Sequence, residues 1–203
     1  MRKYFNLTQL FVTTALTTFV LSSQAQPMMQ SENLTMAPVV EMQDSVGEAP
    51  FKLNCEEAKF VKLLNKYRQS KGLQKVVVSK SAVNAARWHS QDMINKNYFS
   101  HTEPNGRRFF TRSNSFGYTA HSENIAAGNR EAEKTFCQWK NSPGHDANMQ
   151  GQHKSMGIGQ VSGGGQYKVY WSNNFGVEVT DAIKVPLTLE PNCVMPTVLP
   201  TCS

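Results

Sequence analysis

Long apolar runs and clusters of basic residues are both scarce in this sequence. The longest apolar run, Leu10 to Leu21, has about a dozen residues, whereas a membrane-spanning helix needs about 20. We therefore expect no membrane span. Arg107 and Arg108 are the only adjacent basic pair after the first 25 residues, and scattered basic residues do not make the charged patch that nucleic acids require. We therefore expect no nucleic-acid partner.

Cysteines are few as well: the 203 residues include only Cys55, Cys137, Cys193 and Cys202. In an exported chain, cysteines are typical of disulfides rather than of metal sites, and four of them allow three pairings. Cys193 and Cys202 are close enough in sequence to close a small loop, which leaves Cys55 to pair with Cys137. We predict this pairing, and mapping of non-reduced peptides decides among the three.

The first 25 residues have the features of a secretory signal peptide. Arg2 and Lys3 precede the apolar run, and small residues surround a cleavage site after Ala25. Removal of residues 1–25 lowers the formal charge of the chain from +6 to +4, a mild surplus. We therefore expect a secreted protein, either extracellular or periplasmic.

Proline spacing divides the rest of the chain into three parts. Residues 26–50 contain three prolines and no sustained period, which predicts a flexible segment. Residues 51–180 carry the periodic segments of a folded domain. Residues 181–203 are rich in proline, which predicts a tail that a disulfide bond links back to the domain.

The periodic segments predict helices first and a hairpin last. Helical spacing starts at Glu56 and ends at Lys71-Gly72, and a second helix runs from a cap at Ser79 or Ser81 to about Asn97. Further predictions are a short extended run at 75–79, a helix at 131–140, and a hairpin around the glycine-rich "SGGGQ" turn. Few strands follow several helices, so the fold class is α+β or a sheet covered by helices.

Three polar residues lie at junctions between these segments, namely His101, Glu123 and His145. Two imidazoles and a carboxylate suit zinc or another divalent cation and leave a fourth position for water or substrate. The same groups can also transfer protons without a metal. The alternative is two surface histidines and a glutamate that caps a helix.

The order of several motifs resembles one family. The segments "YFSHTEPNGRRFFTR", "SENIAAG", "SPGHDANM" and "YWSNNFG" are similar to those of the CAP superfamily of cysteine-rich secretory proteins, antigen 5 and pathogenesis-related proteins, and above all to its bacterial SCP-like extracellular domains. The resemblance runs from about Lys59 to Gly176. It implies that residues 51–180 form an α-β-α sandwich, with a small sheet between helical layers.

The resemblance also implies a common cleft for His101, Glu123 and His145. Many members of the family carry a second acid shortly after the tryptophan that here is Trp139, but Ser142 occupies the approximate place in this sequence. A mechanism that needs four acid and histidine residues therefore loses support. The resemblance assigns scaffolding roles to Asn124 and Arg112.

Three functions remain open on this basis. The first is a secreted, monomeric binding module that depends on zinc or another divalent cation and takes a lipid or sterol, a glycan or a protein. The second is a hydrolase for peptides or cell-wall glycans that uses the same cleft. A glycosidase normally needs two carboxylates, and neighbours on an extended segment such as Ser100 and His101 point apart, which weakens this function. The third is a scaffold with a vestigial cleft.

Overall fold

The computed structural model describes residues 51–183 and 192–203. The predicted signal peptide (1–25), the predicted flexible segment (26–50) and residues 184–191 of the predicted tail lie outside the described residues.

Helices and strands are interleaved along the described chain. In order they are α1 (Cys55–Ser70), β1 (Val77–Val78), α2 (Lys80–Asn95), α3 (Phe109–Asn114), β2 (Ser122–Ala127), α4 (Ala132–Lys140), α5 (Pro143–Gln150), β3 (Ser155–Ser162) and β4 (Val169–Gly176). No helix among the described residues is both long and apolar enough to cross a membrane.

The first two helices begin at polar capping residues. The Asn54 side chain accepts a hydrogen bond from the Glu57 backbone, and the Glu57 carboxylate accepts one from the Asn54 backbone, so both groups satisfy free N–H donors. Ser79 caps α2 by accepting from the backbone N–H of Ala82. These two helices and the β3–β4 hairpin confirm the prediction within a few residues.

The four strands form one sheet in the order β1-β3-β4-β2, in which β1 runs parallel to β3 and the other pairs are antiparallel. Helix α2 lies directly on one face of the sheet, over Gly157 and Gly159. A Cβ at Gly157 would lie 2.1 Å from the carbonyl carbon of Ala82, and one at Gly159 would lie 2.2 Å from the backbone nitrogen of Arg87. Only glycine permits this close approach of helix and strand.

The opposite face of the sheet packs against α1 and α4. Phe60 of α1 contacts Trp139 of α4 edge-on at 5.0 Å and Trp171 of β4 at 6.2 Å, and all three side chains are fully buried. The sheet therefore lies between two helical layers, which confirms the predicted α-β-α sandwich. Strand β2 lies at the edge of the sheet, so its residues are close to the loops of both layers.

The predicted disulfides Cys55–Cys137 and Cys193–Cys202 are wrong. Cys55 pairs with Cys193, and Cys137 pairs with Cys202. The reason lies in the path of residues 192–203. Lys66 donates to the backbone carbonyl of Thr197, so the tail follows α1 away from Cys55 before it reaches α4. Each tail cysteine therefore meets a different helix.

Candidate functional site

A cleft of about 370 Å³ opens beside the edge strand β2. Its walls come from the loop after α2, from the start of α3, from β2 and from α5. The lining residues are His101, Thr102, Arg108, Phe109, His121, Ser122, Glu123 and Asn148. Two of the three predicted site residues, His101 and Glu123, lie in it.

A tight loop holds His101 at the mouth of the cleft. Thr102 and Arg108 form an antiparallel bridge, and within the bridge the backbone N–H of Glu103 donates to the carbonyl of Arg107 at 2.9 Å. Gly106 takes a φ of +86° at the turn, a conformation that glycine adopts without strain. This turn leaves the His101 side chain 48% exposed.

Glu123 is the most enclosed group of the site, with 4% exposure. His101 Nδ1 lies 2.9 Å from its Oε1, the Ser172 hydroxyl donates to its Oε2 at 3.2 Å, and the Arg112 guanidinium also contacts Oε2. Burial alone raises the pKa of Glu123. The hydrogen bond from His101 and the charges of His89 and Arg112 outweigh that effect, so the pKa lies below its ordinary value.

The ionised carboxylate determines the state of the His101 ring. A carboxylate can only accept hydrogen bonds, so His101 Nδ1 must carry the proton that it shares with Glu123. In neutral His101 the Nε2 atom is then an unprotonated base. The arrangement can bind a donor on a ligand, and it can also accept a proton from water.

His145 occupies a different position from the one expected. The cleft lining does not include it, although it is close enough for the charge of His101 to act on it: burial first, and then His101, lower the pKa of His145. Its backbone carbonyl accepts from the Asn124 side chain at 3.1 Å, and its ring packs on Trp139 at 6.2 Å. In the described residues its buried Nδ1 has no hydrogen-bond partner. His145 therefore flanks the site from the α5 side.

Asn124 and Arg112 have the scaffolding roles predicted for them. Asn124 links β2 to α5, because it donates to His145 and accepts from Asn148 Nδ2 at 2.8 Å. Arg112 is fully buried and contacts two acids, Glu123 and Glu103. These residues hold the walls of the cleft together.

The predicted metal ligands do not fit an ion in this arrangement. Among residues 51–183 and 192–203, no group of three His, Cys, Asp or Glu side chains is placed to hold one. The carboxylate of Glu123 is already engaged by Arg112, whose positive charge opposes a cation at the same oxygen. Zinc or another divalent cation therefore stays a prediction, and its binding requires Glu123 to exchange partners.

A buried histidine, His89 of α2, lies next to this carboxylate. It is fully buried. Its Nε2 lies 3.1 Å from the carbonyl oxygen of Ser100 and 4.0 Å from Glu123 Oε1, and its Nδ1 faces the Tyr98 hydroxyl at 3.4 Å. His89 therefore supports the segment that leads into His101.

We expect the protein to lose stability in mild acid because of His89. Burial lowers the pKa of His89 from its ordinary 6.5 to about 4, even though Glu123 acts in the opposite direction. Between those two values the unfolded chain binds a proton that the folded chain excludes, so the stabilisation present above 6.5 is lost as the pH falls toward 4. The free energy of unfolding should fall by about 2 kcal/mol from about pH 7 to about pH 5 through this group. Urea unfolding at both pH values measures it.

His89→Gln is the control for this effect, because glutamine keeps a donor for Ser100 and does not titrate. The variant should lose about 2 kcal/mol less than the parent chain over the same interval. Tyr98, Asp92, Glu103 and Arg112 also act on His89 or its partners, and they are unchanged in the variant. Equal pH dependence of the two proteins would refute the assignment to His89.

Six of the eight lining residues were not singled out from the sequence as site residues, among them Arg108, His121 and Asn148. The position of Arg108 depends on its bridge with Thr102, which is a backbone contact without a side-chain motif. His121 stands two residues before Glu123, so the "HSEN" motif contained it. Asn148 is one helical turn beyond His145, and i,i+3 residues share a helix face. The i,i+3 spacing from His145 could therefore have indicated Asn148 from the sequence.

An α-β-α sandwich whose edge strand presents a glutamate to a loop histidine defines the chain as a protein of the SCP type. A family model described as CAP, cysteine-rich secretory protein family, matches residues 61–175. The chain belongs to this family.

The relatives agree with this assignment. The uncharacterized protein YkwD of Bacillus subtilis (strain 168) is 34% identical over 138 residues, which cover 66% of this chain and 52% of that protein. The chain thus spans about half the length of this relative. A Bacillus anthracis str. Ames extracellular protein that contains an SCP domain is 27% identical, with a TM-score of 0.52 over 60% of this chain and 40% of that one. An outer surface protein of Borrelia burgdorferi, at 14% identity, shares the fold (TM-score 0.54; 64% of this chain, 99% of that one).

Proposed function

We propose that this protein is an exported binding module whose His101–Glu123 cleft holds an extracellular ligand, a lipid, a glycan or a protein segment. The observation that carries the proposal is the cleft itself. One wall is a half-exposed imidazole oriented by a buried carboxylate, and the space is open to solvent. Two disulfides in the described chain suit an oxidising, extracytoplasmic compartment. The binding unit is expected to be a monomer.

The electrostatics of Glu123 favour binding over catalysis. A general base works best when its pKa is near the working pH, whereas the pKa of Glu123 lies below its ordinary value. The residue also keeps three partners that fix its position, and fixed groups suit recognition. The described residues therefore provide a preformed site whose carboxylate orients His101.

A hydrolase is the second candidate, and the free Nε2 of His101 favours it. Nδ1 is held by Glu123, so Nε2 can take a proton from an attacking water molecule. The nearby acid Glu103 cannot supply the second carboxylate of a glycosidase, because Arg107 and Arg112 already bind it. Ser142, in the place of the family's second acid, is the N-cap of α5. A hydrolase would therefore act through His101 alone.

The test is a binding screen with His101→Ala. We expect a ligand found by glycan, lipid and peptide screening to bind the parent chain at least about tenfold more tightly than the variant, since a hydrogen bond to a charged or strongly polar partner contributes about 1.5–3 kcal/mol. Gln91→Ala is the matched control, because Gln91 is an exposed polar residue of α2 outside the cleft. Equal loss in both variants would contradict the cleft as the site.

The same screen also distinguishes a binding module from a hydrolase, and it tests whether ligand binding requires a metal. Turnover of a bound peptide or glycan that His101→Ala abolishes would establish the hydrolase. Repetition with a chelator and with added zinc tests the cation: a ligand that binds equally in both conditions would remove the metal from the proposal and leave the cleft in place. Circular dichroism of each variant confirms that it is folded.

A further inference from the structure

The charges around the cleft do not cancel. Two acids, Glu103 and Glu123, pair with the guanidinium groups of Arg107 and Arg112, and a third arginine, Arg108, belongs to the cleft lining. Arg107 binds both oxygens of Glu103 at 2.8 and 3.0 Å, and Arg112 binds Glu103 and Glu123. Arg108 forms no ion pair with any acid in the described part of the chain, and it lines the cleft. The lining therefore carries one uncompensated positive charge.

The backbone of Arg108 is held next to His101 by the fold of the loop. Its backbone bridges Thr102, the residue after His101, so the guanidinium group starts from the same short loop as the imidazole. Glu103 anchors that loop from inside, because it is 3% exposed and is held by Arg107 and Arg112. A charge on a preorganised loop loses little conformational entropy on binding.

The polar groups near Arg108 can donate hydrogen bonds. Thr102 and Ser122 contribute hydroxyl groups to the lining, and the buried Ser122 Oγ has no partner among the described residues. His121 adds an exposed imidazole. The carboxylate that lines the cleft, Glu123, has its charge balanced by Arg112. An anion in the cleft would therefore lie near hydrogen-bond donors and a positive charge, whereas a divalent cation would be repelled by Arg108.

Apolar side chains lie next to the positive charge of Arg108. Phe109 lines the cleft, and it contacts Phe110 edge-on at 5.5 Å. Phe110 is 39% exposed, and the Arg108 guanidinium lies over its ring at 5.1 Å. The volume of about 370 Å³ is at the lower end for small-ligand pockets, which run from about 300 to 1,000 Å³. It suits one ring or one residue-sized group.

From these observations we propose that the cleft selects an oxyanion on an apolar body, a carboxylate or a phosphate that Arg108 binds while Phe109 contacts the attached apolar group. This inference rests on the proposed function, because it names the chemical class of the ligand that the same cleft takes. Arg108 is the specificity-determining residue, since its planar fork matches both anions.

The test uses three probes that carry the same phenyl ring: benzoate, its neutral isostere benzamide, and phenyl phosphate. Each is titrated into the isotope-labelled chain at constant ionic strength, and backbone NMR shifts of residues 101–109 and 121–123 report binding. We expect saturable shifts from both anions and a dissociation constant for benzamide at least about tenfold weaker. Arg108→Gln should remove this preference. Arg130→Gln is the matched control, because Arg130 is an exposed arginine that lies beyond the other end of β2 and outside the cleft.

Each outcome decides the proposal. Preference for the anions that Arg108→Gln removes and Arg130→Gln keeps would support it, and the ratio of benzoate to phenyl phosphate affinity identifies the preferred anion. Equal binding of benzamide, an unchanged preference in Arg108→Gln, or no saturable shift from either anion would each overturn it. None of these negative results contradicts the proposed function, which the His101→Ala screen tests with ligands of any charge.

Discussion

Replacement of Arg112 by methionine should destabilise the protein by about 3–5 kcal/mol, because it leaves buried acids without their counterion. Arg112 is fully buried, and Glu123 and Glu103 are 4% and 3% exposed. Glu103 keeps Arg107, but Glu123 keeps only His101 and Ser172. Its pKa should therefore rise, because one of the groups that lower it is lost. Urea unfolding at neutral pH measures the loss.

A double variant separates the charge from the packing of Arg112. Arg112→Met with Glu123→Gln removes both charges of the pair, so it should be more stable than Arg112→Met alone by about 0.5–3 kcal/mol, the range of coupling between contacting residues. Arg130→Gln, at an exposed position, should change stability by less than about 0.5 kcal/mol. An Arg112→Met variant as stable as Arg130→Gln would show that the buried pair is not needed to hold Glu123.

This network explains why Glu123 is central both to the proposed binding site and to the stability of the fold. The carboxylate that orients His101 is the one that Arg112 fixes to the fold. Any cation that enters the cleft must compete with Arg112, and any anion must approach Arg108. The binding of an anion that we propose above agrees with this arrangement, because Arg112 is paired with Glu123 whereas Arg108 forms no ion pair among the described residues.

Local patterns in the sequence predicted the elements that have a regular apolar period. The caps at Asn54 and Ser79 and the apolar stripes of α1 and α2 follow helical spacing, and the hairpin follows alternation around its glycine turn. Strand β2 has no such pattern, because Glu123 and Asn124 are polar yet buried, and their partners come from other segments. Helix α5 buries only Met149 and begins at Pro143-Gly144, so it depends on tertiary contacts.

The candidate site, like the fold, has parts that the sequence predicted and parts that it did not. The motif resemblance predicted that His101 and Glu123 lie in one cleft, and in the structure His101 Nδ1 lies 2.9 Å from Glu123 Oε1. The charge balance could not be predicted, because the resemblance singled out only Arg112 and the sequence does not distinguish Arg107 from Arg108. Their different roles come from a loop bridge and from the burial of Glu103.

The second large expected effect is the loss of stability when a disulfide bond is removed. Replacement of Cys55 and Cys193 by serine should cost about 5 kcal/mol, because the bond links residues 138 positions apart and long loops gain most from closure in the chain-entropy account. The Cys137–Cys202 bond spans 65 positions and should contribute about 0.7 kcal/mol less, since the cost grows only with the logarithm of loop length. Thermal unfolding of the two serine pairs measures both losses.

Tail attachment makes this prediction specific to the observed pairing. In the predicted pairing, Cys193–Cys202 would have closed a loop within the tail, and its removal would have cost only about 2.5 kcal/mol, since a short loop restricts the unfolded chain least. In the observed pairing either bond ties the tail to a helix of the domain, so the two serine pairs should both destabilise the domain itself. Non-reduced peptide mapping must then recover Cys55 with Cys193. A peptide that joins Cys193 to Cys202, together with a loss of only about 2.5 kcal/mol for the Cys193→Ser/Cys202→Ser pair, would refute the crosswise pairing.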